Sequence, residues 1–361
     1  MKSFFNLIEE VQKPGRCHHC GGCVTFCSAI NYGALKLDSE GKPVYSDVEK
    51  CIECGICYMV CPEIKDLDEE IKRQAEWSAP VGRMIGFSIV RSRDQVVRSR
   101  ATDGGAVTGL LVHLLEKGRI NGAIVSRMDE FGRHPWLATT KEDIIEAAGT
   151  HFDHSHGIAE FGDIYSTFSP SIWALSDMLK KGVARVAFVG TPCQVNTIKK
   201  MQALGIVPAD SIDLCLGLFC SGNYTFTMSE FRQIEKKFDF KYDDVKKINI
   251  KDDFQFLLSN GKTRHVPLSD LEFIKRDACK LCDDFSAEYA DISFGGLGAE
   301  EGWTTVITRT PLGRAMLANA LEKSLEGFPY KENPKCITLA EDKILMTSRL
   351  KKEHAAQNRI D

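Results

Sequence analysis

No stretch of this 361-residue chain stays apolar long enough to span a bilayer. The longest run, Val107 to Leu115, is interrupted by His113 and falls well short of the roughly 20 residues a spanning helix needs, so direct membrane insertion is not expected. An excess of positive charge is missing as well. With 46 Lys and Arg against 50 Asp and Glu the formal charge is −4, which leaves no basic stripe for nucleic acid. Low-complexity tracts are absent, and no charged-then-apolar leader precedes the first cysteines.

Cysteine is what the chain has in quantity, 14 residues in all. Eight of them form two near copies, CHHCGGCVTFC at Cys17 to Cys27 and CIECGICYMVCP at Cys51 to Pro62. Each copy has the spacing C-x2-C-x2-C-x3-C, in which three cysteines wrap one iron-sulfur cube and the fourth ligates the cube of the other copy. The spacing therefore assigns Cys17, Cys20, Cys23 and Cys61 to one [4Fe-4S] cluster, and Cys51, Cys54, Cys57 and Cys27 to a second. Gly21, Gly22 and Gly55 supply the backbone freedom these loops require. Pro62 ends the second copy, whereas Ser28 stands at the matching place in the first. Zinc is the rival metal for CxxC pairs, but eight thiols in this register fit two cubanes better. His18 and His19 read as surface residues between ligands. Metal-directed, reduced thiols predict a reducing cytoplasm.

Composition shifts after the second copy. Lys65 to Ala75 is charged and helix-forming, and Pro80-Val81-Gly82 punctuates it, which places a boundary near residue 80. The expected organisation is a two-cluster ferredoxin-like module with linker over residues 1–80 and a second domain over 81–361. Helices are expected at Gly104 to Lys117, Ser169 to Lys181, Val195 to Leu204 and Leu312 to Glu322. Strands are expected at Gly122 to Ser126, Arg185 to Val189, Ile212 to Leu218, Lys247 to Ile250, Phe254 to Leu258 and Ile292 to Phe294. Ser259-Asn260-Gly261-Lys262 reads as a hairpin turn, so the α/β core should have a mixed sheet.

Three places in that core carry chemistry. Thr102-Asp103-Gly104-Gly105-Ala106-Val107-Thr108 opens a helix, and serves either as a plain cap or as an anion site where two glycines admit a phosphate. Cys193 follows a strand, Cys220 ends another, and Cys279 and Cys282 form CKLC. Strand ends are where α/β sheets place ligands, so these four form a third cluster site or else are small buried hydrophobes beside a surface pair. Cys215 competes with Cys220 if the strand register differs, and Cys336 reads as structural. Gly295 to Thr304, with Gly298 and Trp303, is a glycine-rich turn after a strand and either closes over a planar cofactor or is a connection. His151, His154 and His156 allow a metal, a flavin or substrate contact, or a solvated loop.

The order of five stretches resembles the coenzyme F420 hydrogenase/dehydrogenase beta-subunit family in its arrangement with an amino-terminal two-cluster ferredoxin module. They are DGGAVTGLLVHLLEKGRINGAIV, VGTPCQV, LGLFC, VPLSDL and ACKLCDDFSAEYADISFGGLGAEEGWTTVITRT, spread over residues 100 to 310. The resemblance implies a bacterial-ferredoxin-like module followed by a mixed-sheet α/β flavin-binding domain. It also implies FAD exchanging a hydride with coenzyme F420 as substrate, and a third [4Fe-4S] cluster at Cys193, Cys220, Cys279 and Cys282. The family's glycine pair maps onto Gly104 and Gly105, with Thr102, Asp103 and Thr108 beside it. Thr191, Pro192 and Gln194 would flank the flavin ring, and Gly295, Gly298, Trp303 and Thr304 would close the site. Where many relatives carry a basic segment near the flavin, this chain has Gly149-Thr150-His151-Phe152-Asp153-His154, which places His151 at that position.

Two functions follow from the resemblance. One is an electron-input subunit serving a hydrogenase, formate dehydrogenase, heterodisulfide-reductase-like or membrane complex. The other is a self-contained ferredoxin-dependent reductase of an organic substrate such as a chlorophyll intermediate.

Overall fold

The runs VAFVG and IDLCLGL carry almost no polar residue, the pattern of strands covered on both faces, and they lie at the centre of the largest sheet. The structure, a computed structural model, describes residues 2–39, 41–129, 132–149, 164–166, 171–330 and 335–360. Among these, eight strands form one mixed sheet: β1 Gly86–Ser92, β2 Gly122–Asp129, β3 Gly132–Ala138, β4 Val186–Gly190, β5 Ile212–Leu218, β6 Ile292–Gly295, β7 Thr304–Thr308 and β8 Leu325–Gly327. Their order is β8-β1-β7-β6-β5-β4-β2-β3. The four inner strands β6, β5, β4 and β2 run parallel, and antiparallel strands flank them on both sides.

Helices α1 (Ala106–Glu116) and α3 (Pro311–Lys323) cover one face, where Leu110, Leu114, Leu317 and Ala320 pack on Val306 and Phe294. On the other face lies α2 (Pro192–Ala203), whose Val195, Ile198 and Met201 share a core with Cys20, Phe26 and Val60 of the cysteine repeats. The repeats thus dock on the sheet through α2. Beside the main sheet, strands Val245–Ile250, Asp253–Leu258 and Thr263–Pro267 form an antiparallel meander with its own aromatic core of Phe226, Phe231, Phe254 and Phe256. The expected hairpin turn is there, with Gly261 in the left-handed region at φ 79°.

Several boundaries differ from expectation for identifiable reasons. Helix α1 begins at Ala106, because its N-cap Gly105 takes the left-handed φ of 71°. Helix α2 begins at Pro192, because Thr191 and Gln194 form a capping box and proline fits a helix's first turn. The segment expected as a helix from Ser169 starts as a 3-10 turn, Ser171–Ala174, before the α-helix Leu175–Lys181. Strand β3 escapes detection because Pro135 argues against a strand, yet it is tolerated at the sheet edge. The 23-residue helix α4, Cys336–Asn358, escapes too, since exposed Leu339, Met346 and Leu350 blur its apolar face. No helix among the described residues is long and apolar enough to cross a membrane.

Arg309 joins the linker to the sheet. Its fully buried guanidinium donates to Ser293 Oγ at 2.7 Å, Val81 O at 2.7 Å, Arg83 O at 3.1 Å and both Ser286 O and Oγ. Burial pulls its pKa down to about 10.

Candidate redox site

The sequence repeat is also a conformational repeat. His19 and Glu53, each just before the second cysteine of its copy, both have φ 53°, and Gly21 and Gly55, each just after it, have φ 82° and 75°. Alternating hands of this kind turn successive N–H groups toward one side and create a concavity that favours an anionic group. A small cavity is lined by Cys51, Cys54 and Cys57 of the second copy together with Cys27 of the first. That is the crossed set expected from the spacing. The other set shows the same crossing electrostatically. Burial raises the Cys61 thiol most, and Cys20 and Cys17 of the other copy add to it. Cys57, pushed up to about 12 by burial first, also feels Cys54, Cys27 and Cys51. Among the described residues no three His, Cys, Asp or Glu side chains approach closely enough to hold a single metal ion.

His18 is not a surface residue. It is 7% exposed and its Nε2 lies 2.8 Å from Glu63 Oε1, a carboxylate that also accepts from Arg359 at the end of α4. Lys200 of α2 is wholly buried, donates to the carbonyls of Cys61 and Ile64, and pairs with Asp68 at 3.0 Å. Neither role has a local sequence signature.

Cys193, Cys220, Cys279 and Cys282 meet at the carboxyl ends of β4 and β5. Cys193 is the second residue of α2, and Cys220 lies two residues past β5. Asn223 joins two of the four, its backbone N–H 3.3 Å from Cys279 Sγ and its side-chain nitrogen 3.8 Å from Cys220 Sγ. Burial dominates the upward shift of the Cys193 thiol, with Cys20, Cys282 and Cys220 among its further causes. Thr191 Oγ1 sits 3.3 Å from Cys193 Sγ. Cys215 lies mid-strand, buried, with Lys199 and Asp291 as its charged neighbours. Cys336 packs with Trp303 and Phe328. Four thiols, Cys279 buried and the other three half-buried, with polar N–H groups around them suit a polynuclear thiolate site.

The Cys193 set also reaches toward the repeats. Thr197, one helical turn on, donates to Cys193 O at 3.1 Å, and its hydroxyl lies 3.7 Å from Cys20 Sγ.

The two glycine-rich segments come together at the same end of the sheet. Gly104 N donates to Thr304 Oγ1 at 3.1 Å, and Ser92 N donates to Gly104 O at 2.8 Å. A Cβ on Gly104 would fall 2.9 Å from Gly302 O, and one on Gly296 would collide with the Asp103 carboxylate. The structure thus places Asp103, Gly104, Gly296, Gly302 and Thr304 in one cradle at the start of α1. Asp103 is held by Asn249 at 2.8 Å and by Lys251 at 3.5 Å, both from the meander. Lys247, depressed by burial, faces Asp103, Glu301 and Lys251. Sequence patterning gave no hint of these meander residues. Trp303 is buried, its ring stacked under the Arg91 guanidinium at 4.3 Å and edge-on to Phe328. Gln194 is buried as part of the α2 cap. His151 and its neighbouring histidines lie outside the described residues.

Residues 183–330 match the carboxyl-terminal part of the family described as coenzyme F420 hydrogenase/dehydrogenase, beta subunit, and residues 88–159 match its amino-terminal part. Residues 9–62 match the 4Fe-4S dicluster domain. A coenzyme F420 hydrogenase subunit beta from Methanothermobacter thermautotrophicus is 33% identical over 74% of this chain and 91% of its own length. The chain belongs to the coenzyme F420 hydrogenase/dehydrogenase beta-subunit family. A coenzyme F420-dependent sulfite reductase from Methanocaldococcus jannaschii is 27% identical across 90% of this chain, yet only 49% of that protein is covered. In a structure of the F420-reducing [NiFe] hydrogenase complex from Methanosarcina barkeri, one chain superposes with a TM-score of 0.66 at 27% identity, over 78% of this chain and 93% of that one. Family membership supports an oxidoreductase that carries a 4Fe-4S dicluster domain; the F420-linked subunits are its named relatives. The cradle and the Cys193 set both fall within the matched family segments.

Proposed function

We propose that the chain is an iron-sulfur flavoprotein that oxidises reduced coenzyme F420, or reduces F420, at FAD and passes electrons singly to a partner redox subunit. The observation that carries this is the junction of the DGG segment with the glycine turn, at the same sheet edge as Cys193 and Cys220. That edge, at the carboxyl ends of parallel strands, is where open α/β sheets bind their ligands.

In this reading residues 1–80 are the two-cluster module with its linker, and residues 81–361 hold FAD and a third [4Fe-4S] cluster. A bound flavin supplies the conversion between a hydride and single electrons, and the clusters carry electrons one at a time. The chain's own residues do the rest. Gly104 and Gly105 let the start of α1 pack closely on Arg91, Gly302 and Val97, while Asn249 and Lys251 engage the Asp103 carboxylate that would otherwise repel a phosphate there. Thr304 and Ser92 pin Gly104 from both sides. Thr191, Pro192 and Gln194 build the cap that positions Cys193. Thr197 fills the gap between Cys193 and Cys20 and keeps water out of it. The cavity at Cys27, Cys51, Cys54 and Cys57 opens beside Tyr32 and Ile52, which are 46% and 60% exposed. This is the face we assign to the electron partner, at work in the cytoplasm.

Anaerobically purified protein tests the reading. It should hold FAD, carry about twelve iron and twelve sulfide for three cubanes, and couple oxidation of reduced F420 to reduction of a viologen dye. Protein without flavin would refute it. Turnover of an organic substrate with electrons from ferredoxin alone would favour the self-contained reductase instead.

A further inference from the structure

Helix α4 lays one lysine against the Cys193 set. Lys351 Nζ donates to Cys220 O at 2.6 Å and to Asp284 O at 2.9 Å. Both acceptors are neutral carbonyls, and no carboxylate pairs with Lys351 among the described residues, whereas the adjacent Lys352 points to Glu288 at 2.6 Å. Of all charged groups, Lys351 acts most strongly on both Cys220 and Cys282. Burying an ammonium is costly unless it is compensated. Docking of α4 does not require it, because Arg359 already binds Glu63 and Leu281 O, and Asn358 binds Lys280 O. The groups of opposite sign that face Lys351 are the Cys282, Cys220 and Cys279 sulfurs first and the Asp284 carboxylate after them.

We propose that Lys351 is a positioning residue that sets the reduction potential of the cluster held by Cys193, Cys220, Cys279 and Cys282. This rests on the reading of those cysteines as cluster ligands. Reduction brings one electron from the hydride-derived pair and makes the site one unit more negative. Lys351 keeps its proton throughout, and no bond to it forms or breaks. A fixed, half-buried cation stabilises the more negative state, and the dielectric there, lower than that of bulk water, strengthens the effect. The third cluster therefore accepts electrons more readily than its burial alone would allow.

The experiment is an anaerobic redox titration of the holoprotein followed by electron paramagnetic resonance. The third cluster is identified as the signal missing in Cys279→Ser. Lys351→Gln retains amide donors for the two carbonyls but removes the charge. In that variant the oxidised-to-reduced ratio of the third cluster at fixed potential should rise tenfold or more, a downward shift of about 59 mV per tenfold for a one-electron couple. Lys351→Arg should stay within threefold of wild type, and Lys352→Met should leave the ratio unchanged. If the Gln variant fails to assemble, Lys351→Met carries the same expectation, and the Arg variant must still track wild type. A Gln or Met variant with full iron content and an unchanged ratio overturns the proposal, as does an Arg variant shifted as far as Gln. Wild-type protein with only two clusters would instead overturn the cluster reading on which the proposal rests.

Discussion

Replacing Gly104 by alanine tests whether the cradle is as tight as its geometry implies. The added Cβ would lie 2.8 Å from Arg91 Cβ, 2.9 Å from Gly302 O and 3.0 Å from Val90 O. Two of these are backbone oxygens, which cannot swing aside as a flexible side chain would. Overpacking of this kind costs about 1 to 3 kcal/mol. Moving the Gly302 turn also strains the Gly104 N–H bond to Thr304, a contact contributing roughly 0.5 to 1.5 kcal/mol. The combined loss is about 1.5 to 4.5 kcal/mol, and each kcal/mol should lower the melting temperature by roughly 2 to 4 °C. Gly327→Ala is the control, since a Cβ there meets nothing within 4 Å. Thermal unfolding of both variants, with flavin retention measured after desalting, is the assay. Should Gly104→Ala melt with wild type and keep its flavin, the close junction of the two segments would be refuted.

Two further outcomes follow from buried charges. Lys200→Met leaves Asp68 paired with Lys65 alone among the described residues, at 3.3 Å, and strips the Cys61 and Ile64 carbonyls of a donor, so stability should fall by about 1 to 3 kcal/mol; urea unfolding and faster amide exchange around residues 61–71 would show it, and wild-type stability would count against it. Burial, with Asp284 adding to it, lifts Glu288 from the ordinary carboxylate range to about 7. The folded state therefore holds this proton more tightly than the unfolded chain, and the associated stability is full below the unfolded pKa and lost as pH rises through about 7. Glu288→Gln should remove this loss, so its stability relative to wild type should increase from pH 5.5 to 7.5 in anaerobic urea titrations; a constant difference would show that Glu288 is ionised throughout.

The cysteine spacing by itself pointed to the two cysteine loops and to the crossed grouping of their thiols, the grouping in which Cys27 of the first copy lines one cavity with Cys51, Cys54 and Cys57. Such loops are local: the left-handed turns at His19 and Gly21, and at Glu53 and Gly55, lie within a few bonds of the thiols they orient. The inner strands and α1 to α3 were legible for a similar reason, since apolar runs and helix starts are written in neighbouring residues. The order of motifs was enough to name the family. The meeting of Cys193 with Cys220 and CKLC, the exclusion of mid-strand Cys215, and the closure of Asp103 and Gly104 on the Gly296 turn depend on which strands become neighbours. That is decided by burial across the whole sheet. Lys351, Asn249, Lys251 and Thr197 lay further from reach, because an ordinary lysine, asparagine or threonine acquires its role only when a distant element brings a thiol or carboxylate against it. Local chemistry was therefore readable one residue at a time, while the electrostatics of the site exist only in the packed chain.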